Sequence, residues 1–348
     1  MRFEKITIDE HTPGTENDVC LVADVNGDGY NDIIIGGKRG EGNVVWYEYP
    51  DWTRHTIGTA HLEAGGAVLD ITGNGLPDLI AGNPYELNDG KELYWFENSG
   101  DPDKPWTRYT ILEGYRKYHD QAVGDIDNDG APEIIFASQG GRVVGYFDIP
   151  DNPRVSPWPE HCRHIIGEDI EVEGLVVCDI DGDGRNELVA GPNIFKYDGA
   201  TWQRTCIDES YRMTRVAVGD IDGDGKPEIV LSEGESNPGR LAWVSAWPKL
   251  EMHVLADDLF HPHSLELADM TGDGTLDIFV AEMGLGKNPS PKVIIYRNGG
   301  NATFEPTIVD GNYATHDSRV GDFGRSGRMS IVGKPYAPQN HVHLWLNV

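Results

Sequence analysis

The sequence predicts an all-β fold, a seven-bladed β-propeller with four-stranded blades, and three observations carry that expectation. A nine-residue acidic segment recurs seven times at starts 41 to 55 residues apart, about one four-stranded blade each. The same order of strand types flanks every copy. One strand type is absent after the last copy and present alone at the start of the chain.

The acidic copies are DVNGDGYND from Asp24, DITGNGLPD from Asp70, DIDNDGAPE from Asp125, DIDGDGRNE from Asp179, DIDGDGKPE from Asp220, DMTGDGTLD from Asp269 and a degraded DFGRSGRMS from Asp322. A short apolar segment precedes each copy (CLVAD, QAVGD, LVVCD) and defines strand A. An apolar run follows (DIIIGG, EIIFAS, EIVLS) as strand B, then an aromatic-rich strand C (VVWYEY, LYWFEN, LAWVSAW). Outer strand D is seen in TRHTI, TRYTI, CRHII, QRTCI, EMHVL and EPTIV. Short apolar runs bounded by turn residues suit strands buried on both faces. The last A, B and C strands, 317–348, have no D strand after them, whereas FEKITID at Phe3–Asp9 has the D pattern with no A, B or C before it. Pairing this first strand with the last blade closes the ring and removes two sheet edges. The whole span 1–348 is therefore expected to be one propeller domain.

Composition fits: 43 glycines and 21 prolines in 348 residues suit many short strands and tight turns. A formal charge of -30 argues against nucleic acid, whose phosphates require clustered Lys and Arg. No apolar run reaches the roughly 20 residues that span a membrane, and the opening MRFEKITIDE lacks the apolar core of a signal peptide. The expectation is a cytoplasmic monomer, or a secreted protein whose leader has been removed. Cys20, Cys162, Cys178 and Cys206 lie in expected strands without paired spacing, which predicts reduced, packed thiols.

In the first loop Asp24, Asn26, Asp28 and Asp32 fall at positions 1, 3, 5 and 9, with Gly29 at the bend. Oxygen ligands from alternate residues of a tight loop suit calcium better than zinc or copper. An EF-hand would run on into a helix with a bidentate Glu, and here a strand follows. The corresponding ligands are Asp70, Asn74 and Asp78 in blade 2; Asp125, Asp127, Asp129 and Glu133 in blade 3; and Asp179, Asp181, Asp183 and Glu187 in blade 4. Blade 5 supplies Asp220, Asp222, Asp224 and Glu228, and blade 6 Asp269, Asp273 and Asp277. Thr72 and Thr271 replace a ligand in blades 2 and 6, and Arg325 and Ser326 stand where ligands belong in blade 7. Four to six structural calcium ions are expected, none in blade 7. The in-register repeats resemble the FG-GAP, or VCBS-type, repeats of integrin-like propellers over nearly the whole chain.

Strand A lines the channel, so the residue six places before each first Asp should circle one rim. That position holds Asp18, Ala64, His119, Glu173, Thr214, His263 and His316. Three imidazoles and two carboxylates on one small circle exceed what a structural rim requires. The D–A and B–C loops around it carry His61, Glu63, Tyr118, Tyr211, Arg212, Arg215, Lys334 and Tyr336, with Lys38, Tyr85, Arg142 and Arg240 nearby. In so acidic a chain, cations gathered at one end point to an anionic ligand.

A His of near-neutral pKa can abstract a proton, Arg or a metal can neutralise a carboxylate, and Tyr can protonate a leaving oxygen. That equipment suits β-elimination on a uronic acid, whose C5 proton becomes acidic when charge on its carboxyl group is stabilised. A further divalent metal at the rim, held by His119, His263 or His316 with Glu173 or Asp18, could serve there. The segments YHDQAVGD, FHPHSLELAD and YATHDSRVGD resemble two carbohydrate-active groups, the rhamnose–glucuronate lyases and the propeller domain of fungal aldos-2-ulose dehydratase. The resemblance implies a carbon-oxygen lyase acting on an anionic carbohydrate. The expected roles are His119 as base with His61 as rival, Arg215 and Arg212 as carboxylate clamp, and Tyr118 or Tyr211 as proton donor. Sugar dehydration or isomerisation inside the cell, and non-catalytic binding of a glycan or protein, remain open alternatives. No G-x-S-x-G elbow, P-loop or Rossmann fingerprint is present.

Overall fold

Strand B of each blade is buried on both faces, as in Asp32–Arg39, where every residue but the last is buried. Such a strand needs a neighbour on either side. The computed structural model, which describes residues 1–84, 91–285 and 287–348, supplies them as seven four-stranded antiparallel sheets. Six run A-B-C-D in chain order; blade 1, for example, is Thr15–Ala23, Asp32–Arg39, Val44–Glu48 and Thr53–Gly58. In the seventh the outer position belongs to Phe3–Asp9, which pairs antiparallel with Val342–Asn347 and sets Ile6 opposite Leu344. The chain's first strand thus closes the ring, as its D-type pattern predicts. The inner strands touch one another in cyclic order, the first against the last.

Apolar side chains meet between blades rather than within them. Val19, Leu21, Ile34 and Trp46 of blade 1 pack against Leu79, Tyr94 and Phe96 of blade 2. The seam that completes the circle brings Cys20, Ile33 and Tyr47 of blade 1 onto Phe323, Val332 and Leu344 of blade 7. Each fully buried large apolar side chain is worth about 1.5–3 kcal/mol, so this seam holds the ring shut together with the strand pairing. Close approach between blades also explains Gly82 at the end of a B strand. A Cβ there would collide with Tyr118, the first residue of the next blade's inner strand.

One expected strand start is shifted. Cys162 closes a 3₁₀ turn, Glu160–Cys162, because Pro159 precedes it and the Cys162 N–H donates to the Pro159 carbonyl; the outer strand begins at Arg163. Cys20, Cys178 and Cys206 lie in strands, and all four thiols are free. Among the described residues no helix is long and apolar enough to cross a membrane.

Candidate functional site

The rim positions are set by how each inner strand begins. In blades 1 and 3 the ladder slips by one residue: Asn17 pairs with Gly37 and Val19 with Gly36, while Tyr118 pairs with Ser138 and Asp120 with Ala137. Asp18 and His119 are the extra, unpaired residues of these two bulges, a device that re-aims a side chain without ending the strand. In blades 6 and 7, His263 and His316 come immediately before the inner strands that start at Ser264 and Asp317. Three blades therefore deliver imidazoles to one place. The His119 and His263 ring centroids are 5.6 Å apart, and those of His263 and His316 stack at 4.6 Å.

Beneath them four groups converge. His119, Glu173, Glu235 and His263 each offer one ligand atom, all within 4.8 Å of one another. The outer nitrogen of each imidazole is already engaged. His119 Nδ1 is 2.6 Å from Asp120 Oδ2, and His263 Nδ1 is 2.8 Å from the His316 carbonyl, to which only an N–H can donate. This leaves His263 Nε2 as a lone pair, buried without a hydrogen-bond partner, as is Glu173 Oε2. The other Glu173 oxygen accepts from Gln139 Nε2 at 2.7 Å. Imidazoles fixed through Nδ1 by a carboxylate or a carbonyl, beside oriented carboxylates, are what a divalent transition-type ion requires. Glu235 and Gln139 escaped the sequence reading because B–C loops vary in length and offer no fixed count from the acidic segments.

A cavity of about 450 Å³ opens above this cluster. Lys38, Lys117 and His119 line it opposite Glu63, Glu171 and Glu235, with Gln139, His316 and Tyr336 between. Burial disfavours charge on His119, yet the carboxylates of Glu173 and Asp120 raise it to about 9, so without a metal it carries a proton at neutral pH. Burial holds His263 and His316 well below the usual range, helped by Arg215 and His119 for the first and by His263 and Lys334 for the second. His316 Nδ1 lies 3.1 Å from Asp18 Oδ1. Burial lifts Asp18 to about 7, against the pull of Lys38, whose Nζ is 3.0 Å from Oδ2. Lys38 also donates to the Tyr336 hydroxyl at 3.3 Å.

The remaining expected residues fall as follows. His61 is exposed, with Nδ1 2.6 Å from the Lys38 carbonyl. Tyr118 is sealed within its blade, and its hydroxyl accepts from the Tyr115 N–H. Tyr211 is buried under the Arg240 guanidinium, 3.8 Å from its ring. Arg212 is exposed, and Arg215 is buried against Asp120, with Nη1 2.8 and 3.0 Å from the two carboxylate oxygens. None of these five lines the cavity. Tyr85 lies outside the described residues. Part of the expected positive charge is cancelled, since Asp120, Glu233 and Asp18 pair with Arg215, Arg240 and Lys38.

The acidic loops sit at the other end of the inner strands. In the first, the Asp24 carboxylate accepts from the N–H groups of Gly27, Asp28 and Gly29, while Asp32 accepts from Val25. Gly29 takes a positive φ of 88°, which the tight bend needs. Carboxylates gather within 4.8 Å in blades 3, 4 and 5. Blade 4 departs from expectation: the Lys196 amine enters its loop against Asp181, 2.7 Å from Asp183 and 3.2 Å from Glu187. In blade 7 Ser326 donates to Asp322, and Arg325 leans over the Tyr30 ring.

Five stretches, 24–81, 70–136, 125–190, 179–231 and 269–333, match the FG-GAP-like repeat family. The chain belongs to the FG-GAP-like repeat family. Aldos-2-ulose dehydratase of Phanerodontia chrysosporium is 25% identical over 281 residues, covering 67% of this chain and 31% of its own length. The chain thus spans about a third of that protein. Solved structures share the fold: BBS1N, in complex with ARL6DN, has a TM-score of 0.62 at 10% identity over 100% of this chain and 97% of its own. An ancestral GH74 enzyme has a TM-score of 0.64 at 11% identity, covering 97% of this chain and 48% of that one.

Proposed function

We propose that the channel mouth is the active site of a carbohydrate-acting carbon-oxygen lyase that eliminates across C4 and C5 of a uronate-bearing glycan. The observation that carries this is the convergence of His119, Glu173, Glu235 and His263, with both imidazoles fixed through Nδ1, beside a cavity-lining His316. The four ligands would hold a divalent cation such as zinc or manganese, which would neutralise the uronate carboxyl group and so acidify C5. Around the cavity Lys38, Lys117 and a protonated His119 balance Glu63, Glu171 and Glu235, and a divalent cation that displaces the His119 proton would leave the site one charge more positive, which favours an anion.

The chain's own residues then divide the proton transfers. His316, whose Nδ1 lies 3.1 Å from Asp18 Oδ1 and 3.5 Å from Lys334 Nζ, takes the C5 proton, while both nitrogens of His119 are engaged by carboxylates. The C5–H electron pair becomes the C4=C5 double bond, and the C4–O4 bond breaks. Tyr336, next to Lys38, protonates the departing oxygen. No oxidant, reductant or water is consumed. Calcium is assigned to the acidic loops of blades 1, 2, 3, 5 and 6, where it would brace the A–B turns.

Incubating zinc- or manganese-loaded protein with a glucuronate-containing glycan such as gum arabic, while following the ultraviolet absorbance of unsaturated uronate and the product masses, tests this. Elimination gives products whose masses sum to the substrate. His316→Asn and Tyr336→Phe should lower kcat by roughly 10²–10⁴ with binding retained. Water incorporated into products, or binding without product, rejects the lyase. The match to aldos-2-ulose dehydratase favours a second reading, loss of water from a free keto-sugar at the same site. Turnover of aldos-2-uloses but not of glycans would decide for it.

A further inference from the structure

Neighbouring acidic loops are tied together by buried asparagine amides. Asn98, which follows strand C of blade 2, holds its own loop through its N–H, a donor to Asp78 Oδ1 at 2.7 Å. Its side-chain Nδ2 crosses the seam to the Val25 carbonyl of blade 1 at 2.8 Å, between Asp24 and Asn26 of that loop. Asn298 repeats the arrangement in blade 6. Its N–H donates to Asp277 Oδ1 at 2.8 Å, and its Nδ2 to the Ile221 carbonyl of blade 5 at 2.6 Å, between Asp220 and Asp222. The amide orientation is fixed in both, because Oδ1 accepts from the N–H of Gly100 or Gly300 and leaves Nδ2 to face the carbonyls. Both residues are 4% exposed, so little water competes for these bonds.

The bridge is selective. The corresponding position holds Tyr49, Ile149, Tyr197 and Ala246 in blades 1, 3, 4 and 5, none of which carries an amide. Asn347 and Asn31 tie blades 6 and 1 to the degraded segment of blade 7, which lacks the ligand set. The Asp125 carbonyl in the loop of blade 3 is held by Asn186 of blade 4, whose own carboxylates Lys196 already answers. Calcium, which the FG-GAP repeats imply, fits the bridged loops. Asp220, Asp222 and Glu228 offer ligand atoms within 4.8 Å of one another, and Thr72, third in the loop of blade 2, has a buried hydroxyl oxygen with no hydrogen-bond partner.

We propose that calcium binds cooperatively within two pairs of loops, those of blades 1 and 2 through Asn98 and those of blades 5 and 6 through Asn298, while the loop of blade 3 fills on its own. This rests on the calcium assignment to the acidic loops and not on the lyase reading. A cation that draws positions 1 and 3 of one loop together fixes the peptide between them, and with it the carbonyl that the asparagine holds. The same asparagine orients Asp78 or Asp277, the position 9 ligand of the neighbouring loop, so the first ion orders part of the second site in advance. Direct charge acts the other way, since two nearby divalent ions repel each other.

Equilibrium dialysis of calcium against the full chain, with variants at exposed loop ligands, tests this. Asp273→Ala should lose the ion of blade 6, and one further ion, that of blade 5, should bind roughly fivefold or more weakly than in the parent. Asp28→Ala should act in the same way on blades 1 and 2, whereas Asp129→Ala should lose the ion of blade 3 alone. In an Asn298→Ala background, Asp273→Ala should no longer weaken any remaining ion. Unchanged affinity of the remaining ions in Asp273→Ala and Asp28→Ala, or weakening that persists without the Asn298 amide, overturns the coupling and leaves the calcium assignment standing. Should Asn298→Ala not fold, the three aspartate variants decide, and equal weakening of the remaining ions in all three overturns the pairing. Absence of calcium from the parent protein removes the coupling and the assignment together.

Discussion

Replacing Lys196 should convert a self-neutralised loop into a calcium site. Lys196 occupies the strand C position that follows Phe195, the partner of Leu188; the matching residues are Glu48 after Tyr47 in blade 1 and Asp148 after Phe147 in blade 3. Where those blades add negative charge beside the loop, blade 4 inserts an ammonium among Asp181, Asp183 and Glu187. Asp183 is open to solvent, so its contact with Lys196 is screened and adds little. The links to Asp181 and Glu187 involve carboxylates that are 12% and 2% exposed, but the lysine itself is 37% exposed and screened. Exposed ion pairs are worth about 0.2–1 kcal/mol, so Lys196→Gln should cost about 1 kcal/mol in chelator. The vacated carboxylates then become free to bind calcium, and an ion present at 100 times its Kd would add about 2.7 kcal/mol. Equilibrium dialysis should find one more calcium per chain in Lys196→Gln than in the parent. Thermal unfolding should show a lower Tm than the parent in chelator and a larger rise on adding calcium. An unchanged stoichiometry with an unchanged calcium-induced rise would refute the role given to the lysine.

Arg215→Ala strips the buried Asp120 carboxylate of the guanidinium nitrogen shared between its two oxygens, and loss of one member of a buried pair costs about 3–5 kcal/mol; chemical denaturation should show a loss of that size. In chelator, burial is the largest influence on Asp32, Asp78 and Glu133 and raises them to about 6, 6 and 7. The folded chain then holds protons that the unfolded chain has released, so stability should fall as pH rises from about 4 to about 7, and calcium, which binds the ionised groups, should abolish or reverse that slope in pH-dependent melting curves. Removing residues 1–9 uncovers the edge of Val342–Asn347 and strips Ile6 and Ile8 from the closing seam. Light scattering should show concentration-dependent association of the shortened chain, and a monodisperse monomer of parental Tm would contradict the importance of that pairing.

The architecture was legible because the path along the channel wall from rim to acidic loop is the same number of residues in the blades that deliver His119, Glu173, His263 and His316, although the regular inner strands range from Ala67–Leu69 to Thr15–Ala23. The count survives even the bulges at Asp18 and His119, since each slip lies after the rim residue's own place has been set by the distance to the loop. What the count cannot supply is which atoms remain free. Whether His119 offers a lone pair depends on Asp120 beside it and Glu173 from the next blade, and whether Arg215 can clamp a ligand depends on the same Asp120, reached across 95 residues of sequence. Positive residues along a loop therefore overstate the field at the site, because their partners arrive from strands that sequence proximity does not connect. Lys196 is the converse case. Its position was visible in IFKYDG once strand C is aligned by its aromatic residue: blades 1, 2 and 3 carry Glu48, Glu97 and Asp148 there, but blade 6 carries Arg297, which pairs with Glu305 of its outer strand, so only the facing residues show that Lys196 answers its own loop. Charge of either sign thus gains meaning only after the residues facing it are known, and in a propeller those faces repeat, which is why comparison between blades can recover part of what a single blade conceals.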